Sequence, residues 1–217
     1  MSKKNIRQAS LCLFAVAALS GCVSSEFNYT PPSTVPTTTG FSKTINKPRD
    51  AVWAAAVPSL GKDFFVINNI DKASGLINVS YSGDPHAYVD CGHFIGFFQN
   101  AEGRRDFSFD GSAKDALYIQ YIKPNAANVQ RHLNLEGRIN IIFESPTPDT
   151  TLVTVNARYV LDKRNNIRLF TGQSGVNTDQ MSFGSTSPGS FTPTADGTIT
   201  QCVSTGKLER TVLDEIR

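Results

Sequence analysis

Two neighbouring segments, 131–144 and 151–161, show the clearest alternation of apolar and polar residues in the chain. The apolar side chains of both segments fall on odd numbers: Leu133, Leu135, Ile139, Ile141, Phe143, Val153, Val155, Ala157, Tyr159 and Leu161. Polar side chains fill most of the even positions, and a Ser-Pro-Thr-Pro-Asp segment at 145–149 separates the two runs. A period of two is typical of strands with one buried face, and the intervening residues favour a turn. The pattern therefore predicts an antiparallel hairpin whose other face is wet or lines a groove.

The charges on the polar face of this hairpin predict its register. Placing Phe143 opposite Thr151 also sets Glu136 opposite Arg158. Opposite charges that face each other across two strands stabilise the pair by about 0.2–1 kcal/mol. A register shifted by two residues sets Arg138 opposite Arg158 instead, and that outcome would suggest that this face binds an anion or an acidic partner.

Other parts of the chain predict two helices and a second hairpin. Apolar residues recur at helical spacing over 51–60, just after Pro48, and again over about 205–216. Glu209 in the second helix is predicted to lie on its solvated side. Segments 64–70 and 76–81 alternate on either side of a turn that contains Gly75, so they predict a hairpin.

Segment 173–197 is rich in Gly, Ser, Thr and Pro, and its apolar residues Met181, Phe183 and Phe191 are isolated. This composition predicts a loop, which is either flexible or a binding loop whose apolar residues become ordered on contact with a partner. The three apolar residues are therefore the candidate partner-binding residues.

The order of helix, antiparallel strands and terminal helix predicts an α+β fold with two layers. In that fold an antiparallel sheet carries an N-terminal and a C-terminal helix on one face. The Asp71-Lys72-x-Ser74-Gly75-Leu76-Ile77 turn and the helix before it resemble the start of helix-grip domains in envelope lipoproteins such as BamC, of the outer-membrane barrel-assembly machinery. The resemblance covers residues 48–81 and the terminal helix, and it implies a helix-grip-like fold without assigning functional residues.

The first 22 residues have the layout of a secretory signal peptide, with a positively charged start and a short apolar run, LCLFAVAAL. The run ends in Leu19-Ser20-Gly21-Cys22, which resembles the lipobox of bacterial lipoproteins. The resemblance implies that residues 1–21 are removed and that Cys22 carries lipid. Because Val23 and not aspartate follows, it also implies an anchor in the outer membrane, facing the periplasm. An ordinary signal peptide with a chance cysteine is the alternative.

Residues 22–40 are rich in Thr, Ser and Pro, so they predict a lipidated tether that precedes a single periplasmic domain over 41–217. The prolines count against regular strand structure in this segment. The alternative is an N-terminal strand that pairs through Phe27 and Tyr29.

Loss of residues 1–21 removes three basic residues and no acidic ones, which lowers Lys+Arg from 21 to 18 against 19 Asp+Glu. The mature chain then has a net charge near −1. Such a chain has no basic field that would attract nucleic acid or anionic lipid. The predicted partners are the membrane, through the N-terminal lipid, and another envelope protein.

Cys91 and Cys202 are the two cysteines that lie beyond the signal segment and the lipobox. The oxidising periplasm favours a disulfide between them, with Cα atoms about 4.4–6.8 Å apart. The alternative makes Cys91 a nucleophile, or a metal ligand together with His86 or His93, although no metal-binding Cys and His spacing appears. Neither a Gly-x-Ser-x-Gly motif nor a phosphate-binding loop is found. The sequence predicts no cofactor, no metal and no enzymatic activity.

Three functional hypotheses follow from these features. The first is a lipid-anchored envelope protein that acts as a non-enzymatic accessory or adaptor for another envelope protein. The second is a binding protein for a lipid or a small hydrophobic ligand, held in a pocket between the sheet and the terminal helix. A hydrolase or redox enzyme that uses Cys91 ranks last.

Overall fold

The computed structural model describes residues 23–33, 40–62, 65–194 and 196–217, and most of these residues lie in strands. Cys22 and Phe64 lie outside the described residues. The elements of the described chain are β1 (Ser24–Thr30), β2 (Phe41–Ile45), α1 (Arg49–Lys62), β3 (Val66–Asp71), β4 (Leu76–Gly83), β5 (Val89–Asp90), β6 (His93–Asn100), β7 (Gly103–Asp110), β8 (Asp115–Ile122), β9 (Asn125–Thr147), β10 (Thr150–Leu169), β11 (Ser174–Gly184), β12 (Gly189–Ser190), β13 (Gln201–Ser204) and α2 (Lys207–Glu215).

The predicted two-layer α+β, helix-grip-like fold with two terminal helices on one face is wrong. The described strands form three sheets: β1-β6-β7, a seven-stranded sheet built on β9 and β10, and β12-β13-β5. The two helices have only 14 and 9 residues, and β1 and β2 precede the first of them. The prediction failed because polar strands with a weak apolar period were interpreted as tether and loop, whereas main-chain pairing to a neighbour holds them in place.

The hairpin of β9 and β10 organises the seven-stranded sheet. Its odd residues face odd residues, as predicted, but the predicted register is wrong by two, since Phe143 lies opposite Val153 and Arg138 lies opposite Arg158. The physical reason is a tighter turn. Thr147 lies opposite Thr150, and a bulge between Thr150 and Leu152 sets the register of the rest of the ladder.

The neighbours of this hairpin divide it into two halves. The upper half comprises 133–147 and 150–161, where β4 pairs with β9, and β2 and the end of β11 pair with β10. The lower half comprises 125–132 and 162–169, where β8 pairs with β9 and most of β11 pairs with β10. The second predicted hairpin is confirmed as β3 and β4, which extend the upper half of the sheet.

The main hydrophobic core lies on the odd-numbered face of the upper half, under the two helices. Leu135, Ile139, Ile141 and Val155 are fully buried there. A Cβ atom at Gly137 would lie 2.7 Å from Leu208 Cδ2, so this glycine allows α2 to approach the sheet closely.

A chain of buried hydrogen bonds links this face to α2. The amide of Gly206 donates to Ser204 Oγ at 2.8 Å, and Ser204 donates to the Tyr159 hydroxyl at 2.9 Å. Tyr159 donates in turn to Glu209 Oε2 at 2.7 Å. Burial raises the pKa of Tyr159, and the Glu209 carboxylate raises it further. Glu209 is fully buried, so the prediction that it lies on the solvated side of the helix is wrong.

The segment predicted as a tether contains β1, which pairs along its whole length with β6. The alternative prediction, a strand that pairs through Phe27 and Tyr29, is therefore the one that the structure shows. The two prolines that follow, Pro31 and Pro32, lie after the strand ends, so they do not interrupt its ladder. The ring of Phe27 packs in an aromatic cluster with Phe94, Phe107 and Tyr118 at centroid distances of 5.4, 5.7 and 5.5 Å.

Candidate functional site

The predicted disulfide is confirmed, because Cys91 and Cys202 are bonded in the structure. Their Cα atoms are 4.0 Å apart, slightly closer than expected, and the bond joins the residue after β5 to β13. Cys91 therefore has no free thiol with which to act as a nucleophile. The predicted lipidation site, Cys22, lies outside the described residues.

The segment predicted as a loop, 173–197, forms β11 and β12 over part of its length. Met181, Phe183 and Phe191, the candidate partner-binding residues, are only 3–5% exposed. Phe183 stacks on Tyr159 with ring centroids 5.2 Å apart. In this structure the three residues pack inside the domain and present no apolar surface to a partner.

The candidate site lies in the lower half of the hairpin. There the odd-numbered row, which is apolar in the upper half, continues with Arg131, Lys163 and Asn165. Asn165 lies opposite Arg131, and Lys163 is the next odd residue of β10. Both cationic residues are buried. Burial of a charge is costly unless a partner compensates it, so the surroundings of each cation decide what the site can do.

Lys163 is compensated. Its ammonium lies 3.4 Å from Asp179 Oδ2 and 4.0 Å from the centre of the Phe191 ring. Burial lowers the pKa of Lys163, and the Asp179 carboxylate partly offsets this effect. The same carboxylate accepts a hydrogen bond from the backbone amide of Thr192 at 3.0 Å, so Asp179 also holds the covering segment in place.

Arg131 has no such partner. It is 4% exposed, and within the described part of the chain it makes no ion pair with a carboxylate. Its Nη2 donates to the carbonyl oxygens of Asp110 and Ala113 at 3.2 and 3.1 Å, and the guanidinium lies 5.0 Å from the Phe109 ring centre. Its Nε has no hydrogen-bond partner. Burial lowers the pKa of Arg131 to about 10, which leaves the side chain charged at neutral pH.

A cavity of about 30 Å³ lies beside Arg131. Asn165, whose Oδ1 also lacks a partner, lines it together with Phe27, Phe94 and Tyr118 of the aromatic cluster. A space of this size holds one water molecule or one small anion. Water satisfies both the donor on Arg131 and the acceptor on Asn165. A fully ionised anion accepts from Arg131 and offsets its buried charge, but it has no proton to donate to Asn165.

A larger, open cavity of about 370 Å³ adjoins the small one. The two share Gln120, Lys163, Asn165 and Thr194 in their walls. Its other walls are partly polar and partly apolar, and they come from Ile167 of β10, from residues 177–179 of β11 and from Thr192 and Pro193 after β12. This arrangement, an enclosed cationic end beside an open mouth of mixed polarity, fits a ligand that ends in a carboxylate or a phosphate.

A cover over the site comes from the segment between β12 and β13. The backbone amide of Phe191 donates to the Thr200 carbonyl at 3.0 Å, and Thr194 donates to Thr198 in the same way at 3.0 Å. Gln120 Nε2 donates to Asp196 Oδ2 at 3.4 Å, which ties the cover to β8. The Cys91–Cys202 disulfide fixes the end of this segment two residues after Thr200.

A second feature lies on the opposite, even-numbered face of the sheet. Arg138 and Arg158 lie opposite each other and are exposed. Arg138 pairs with Glu136 at 2.7 Å, and Arg158 donates to Ser182 Oγ at 3.0 Å. These contacts give each arginine a polar partner. The observed register is the one that the sequence associated with binding of an anion or an acidic partner.

The residues that could support other chemistry are dispersed. Within the described ranges no three His, Cys, Asp or Glu side chains are grouped so as to hold a metal ion. His93 and His132 each contact one aspartate, Asp110 at 2.9 Å and Asp115 at 2.8 Å. None of the helices in the described part of the chain has the length and apolar character needed to cross a bilayer.

Comparison of the chain with protein-family models, with curated proteins and with solved structures finds no significant match. The functional argument therefore depends on the residues themselves. Sequence reasoning missed Arg131, Lys163 and Asn165, although a signal for them is present. All three have odd numbers, like the buried apolar residues of the same strands. A polar or charged residue at a position where the pattern predicts burial is a candidate for a binding site.

Proposed function

We propose that this protein is a lipid-anchored binding protein of the bacterial envelope that receives the carboxylate or phosphate group of a ligand beside Arg131. The observation that carries the proposal is the buried guanidinium, which lacks a carboxylate partner among the described residues and adjoins a cavity with two unsatisfied polar atoms. A bound anion supplies the missing charge and accepts a hydrogen bond from Nε.

The anchor part of the proposal rests on the lipobox-like Leu19-Ser20-Gly21-Cys22 and on the disulfide, which suits an oxidising compartment. The proposed location is the outer membrane, on its periplasmic side. Mass spectrometry of the mature N-terminus should detect an acylated Cys22, and Cys22→Ala should release the protein from the membrane fraction. An unmodified N-terminus at another residue argues against the anchor.

The proposed ligand site differs from the pocket expected between the sheet and the terminal helix. Leu208 and Val212 of α2 are fully buried against the sheet, so that interface is occupied by side chains. The cationic cavity in the lower half is the better candidate because it combines space with unsatisfied polar groups.

Thermal unfolding of the disulfide-bonded protein with acetate, phosphate, sulfate or chloride, at constant ionic strength, tests the site. A ligand that binds only the folded state stabilises it by RT ln(1 + [L]/Kd), about 2.7 kcal/mol at a hundredfold excess over Kd. We expect at least one anion to raise the Tm of the native protein but not that of Arg131→Met. Arg164→Met, which removes an exposed arginine of the same strand, β10, is the matched control and should retain the response. Equal responses in both variants, or none in the native protein, would refute the site and leave water as its occupant.

A second candidate function, an adaptor for another envelope protein, is favoured by Arg138 and Arg158 on the exposed sheet face. Two adjacent arginines on a polar face suit an acidic segment of a partner. A photocrosslinker at the neighbouring exposed residue Asn156 in intact envelopes should give a specific adduct. The adduct should disappear in the Arg138→Gln, Arg158→Gln double variant, and its persistence there would argue against this role.

A further inference from the structure

The first described strand begins very close to the proposed lipid attachment. Ser24, the first residue of β1, is two positions after Cys22. Because each residue of an extended chain spans at most about 3.6 Å, the start of β1 lies within about 7 Å of the lipidated residue. The anchor therefore leaves almost no tether between the membrane and the folded domain.

Pairing in the β1-β6-β7 sheet shows which end of the molecule this is. Ser24 lies opposite Gln99 and Ser25 lies opposite Phe98, next to the turn that joins β6 to β7. The Phe98 ring lies 5.4 Å from the Phe170 ring and 6.1 Å from the Tyr121 ring. Phe170 belongs to the turn after β10, and Tyr121 lies at the end of β8. Three turns, 100–103, 122–125 and 169–173, thus gather at the end where β1 starts, and together they are named the anchor-end tip.

The chemistry of the anchor-end tip suits a lipid headgroup layer. Exposed basic residues flank its turns: Arg104, Arg105, Lys123 and Arg168. At the surface, Glu102 pairs with Arg105 at 3.7 Å and Asp106 pairs with Arg104 at 2.8 Å. Among these six residues, Lys123 and Arg168 are therefore a basic excess. Phe170 is 44% exposed, although large aromatic residues are usually buried. Basic residues near headgroup phosphates and an aromatic ring at the interface both favour membrane contact.

We infer that the anchor-end tip lies against the lipid headgroups, and that the β9–β10 hairpin points away from the membrane. This orientation rests on the proposed lipidation of Cys22. β9 starts at the anchor-end tip with Asn125 and runs for 23 residues to Thr147. At about 3.3 Å per residue, the 147–150 turn lies up to about 75 Å from the tip. The protein thus holds its upper half, with Arg138 and Arg158, out in the aqueous compartment.

The test uses the full-length lipidated protein in vesicles of phosphatidylethanolamine and phosphatidylglycerol that contain a headgroup-labelled quencher lipid. A fluorophore is attached at Thr171→Cys in the anchor-end tip, or at Asp149→Cys in the distal turn as the matched control. Both residues are exposed, while Cys91 and Cys202 are bonded to each other and do not react. We expect strong quenching at position 171 and little at position 149. A flexible Gly-Ser insertion of about twenty residues between Val23 and Ser24 should reduce quenching at 171 at least twofold.

The outcomes separate this inference from the proposed anchor. Mass spectrometry of each sample first establishes whether Cys22 is acylated, and a sample without acyl chains refutes the anchor and the orientation together. With Cys22 acylated, equal quenching at both positions, or stronger quenching at 149, overturns the orientation and leaves the anchor standing. The triple variant Arg105→Gln, Lys123→Gln, Arg168→Gln should weaken quenching at 171 on these anionic vesicles, and unchanged quenching would overturn the headgroup contact.

Discussion

The two halves of the β9–β10 hairpin share strands and parity but differ in what they bury. In the upper half the odd-numbered row is made of Leu, Ile, Val and Phe, and it packs under α1 and α2. In the lower half the same row contains Arg131, Lys163 and Asn165. These residues lie beneath aromatic side chains of the β1-β6-β7 sheet and beneath the segment between β12 and β13. The row of the upper half is therefore an apolar core with one buried carboxylate, Glu209, facing it from α2, whereas the row of the lower half itself contains two buried cationic residues.

The two halves also differ in the surroundings of their buried charged side chains. The buried glutamate of the upper half accepts a hydrogen bond from Tyr159 at Oε2, at the end of a chain of donors, while its Oε1 has no hydrogen-bond partner. The buried arginine of the lower half has carbonyl partners for Nη2 and none for Nε. Proteins usually leave a buried polar group without a partner only at a functional site, where a ligand completes it. The arginine fits this description because its side chain lines a cavity. The comparison predicts that substitutions of similar burial will have opposite consequences in the two halves.

The largest effect should come from the upper half. Ile139→Ala removes a fully buried side chain from the centre of the main core. The lost burial and the cavity left behind should cost about 2–5 kcal/mol of the free energy of unfolding, measured by urea denaturation of the oxidised protein. Leu117→Ala, at a residue that is 71% exposed, should change this free energy by less than about 0.5 kcal/mol. Similar costs at both positions would contradict the assignment of the main core.

A smaller loss is expected for Tyr159→Phe, because the phenyl ring and its stacking on Phe183 are kept. The substitution removes the hydroxyl that donates to Glu209 and accepts from Ser204. Leaving buried polar groups without partners costs about 1–3 kcal/mol. The double variant Tyr159→Phe, Glu209→Leu should recover part of that loss, and additive losses would show that the two groups do not interact.

The upper half could be predicted from sequence because its apolar row gives a clear period of two, which fixed the strands and the shared face of residues 133–143 and 153–161. Its register could not, since the tight 147–150 turn outweighed the Glu136 and Arg158 pairing. The lower half was missed for a different reason. Arg131 and Lys163 are charged, so the buried face on which they lie gives no apolar pattern in the sequence. They are covered by β7, which is distant in sequence, and by segment 191–200, which lacks regular structure. The disulfide was predictable because the signal-like segment led us to expect an oxidising compartment, and the count of cysteines left one pair.

In the lower half, Arg131→Met should change the free energy of unfolding without ligand by less than about 1 kcal/mol, or increase it. An apolar side chain of similar length replaces a buried charge that has no carboxylate partner among the described residues. The same variant should lose the anion-dependent rise in Tm. A loss of several kcal/mol in buffer without anions would instead show that Arg131 is a structural residue, held by Asp110 and Ala113.

The effect that separates the halves by sign is the dependence of stability on pH in the alkaline range. Tyr159 has a raised pKa because burial and Glu209 disfavour the phenolate. Above its unfolded pKa of about 10 the folded state holds a proton that the unfolded state loses, so Tyr159 makes stability fall as pH rises, by up to about 1.4 kcal/mol per pH unit. Lys163 has a lowered pKa because burial disfavours the ammonium. Between that lowered pKa and about 10.4 the unfolded state binds the extra proton, so Lys163 makes stability rise with pH.

Urea denaturation at pH 8.5–11 should therefore show a shallower alkaline decline in stability for Tyr159→Phe than for the native protein, and a steeper decline for Lys163→Met. Equal slopes for both variants would mean that the upper and lower halves do not differ in how they hold their buried ionisable groups.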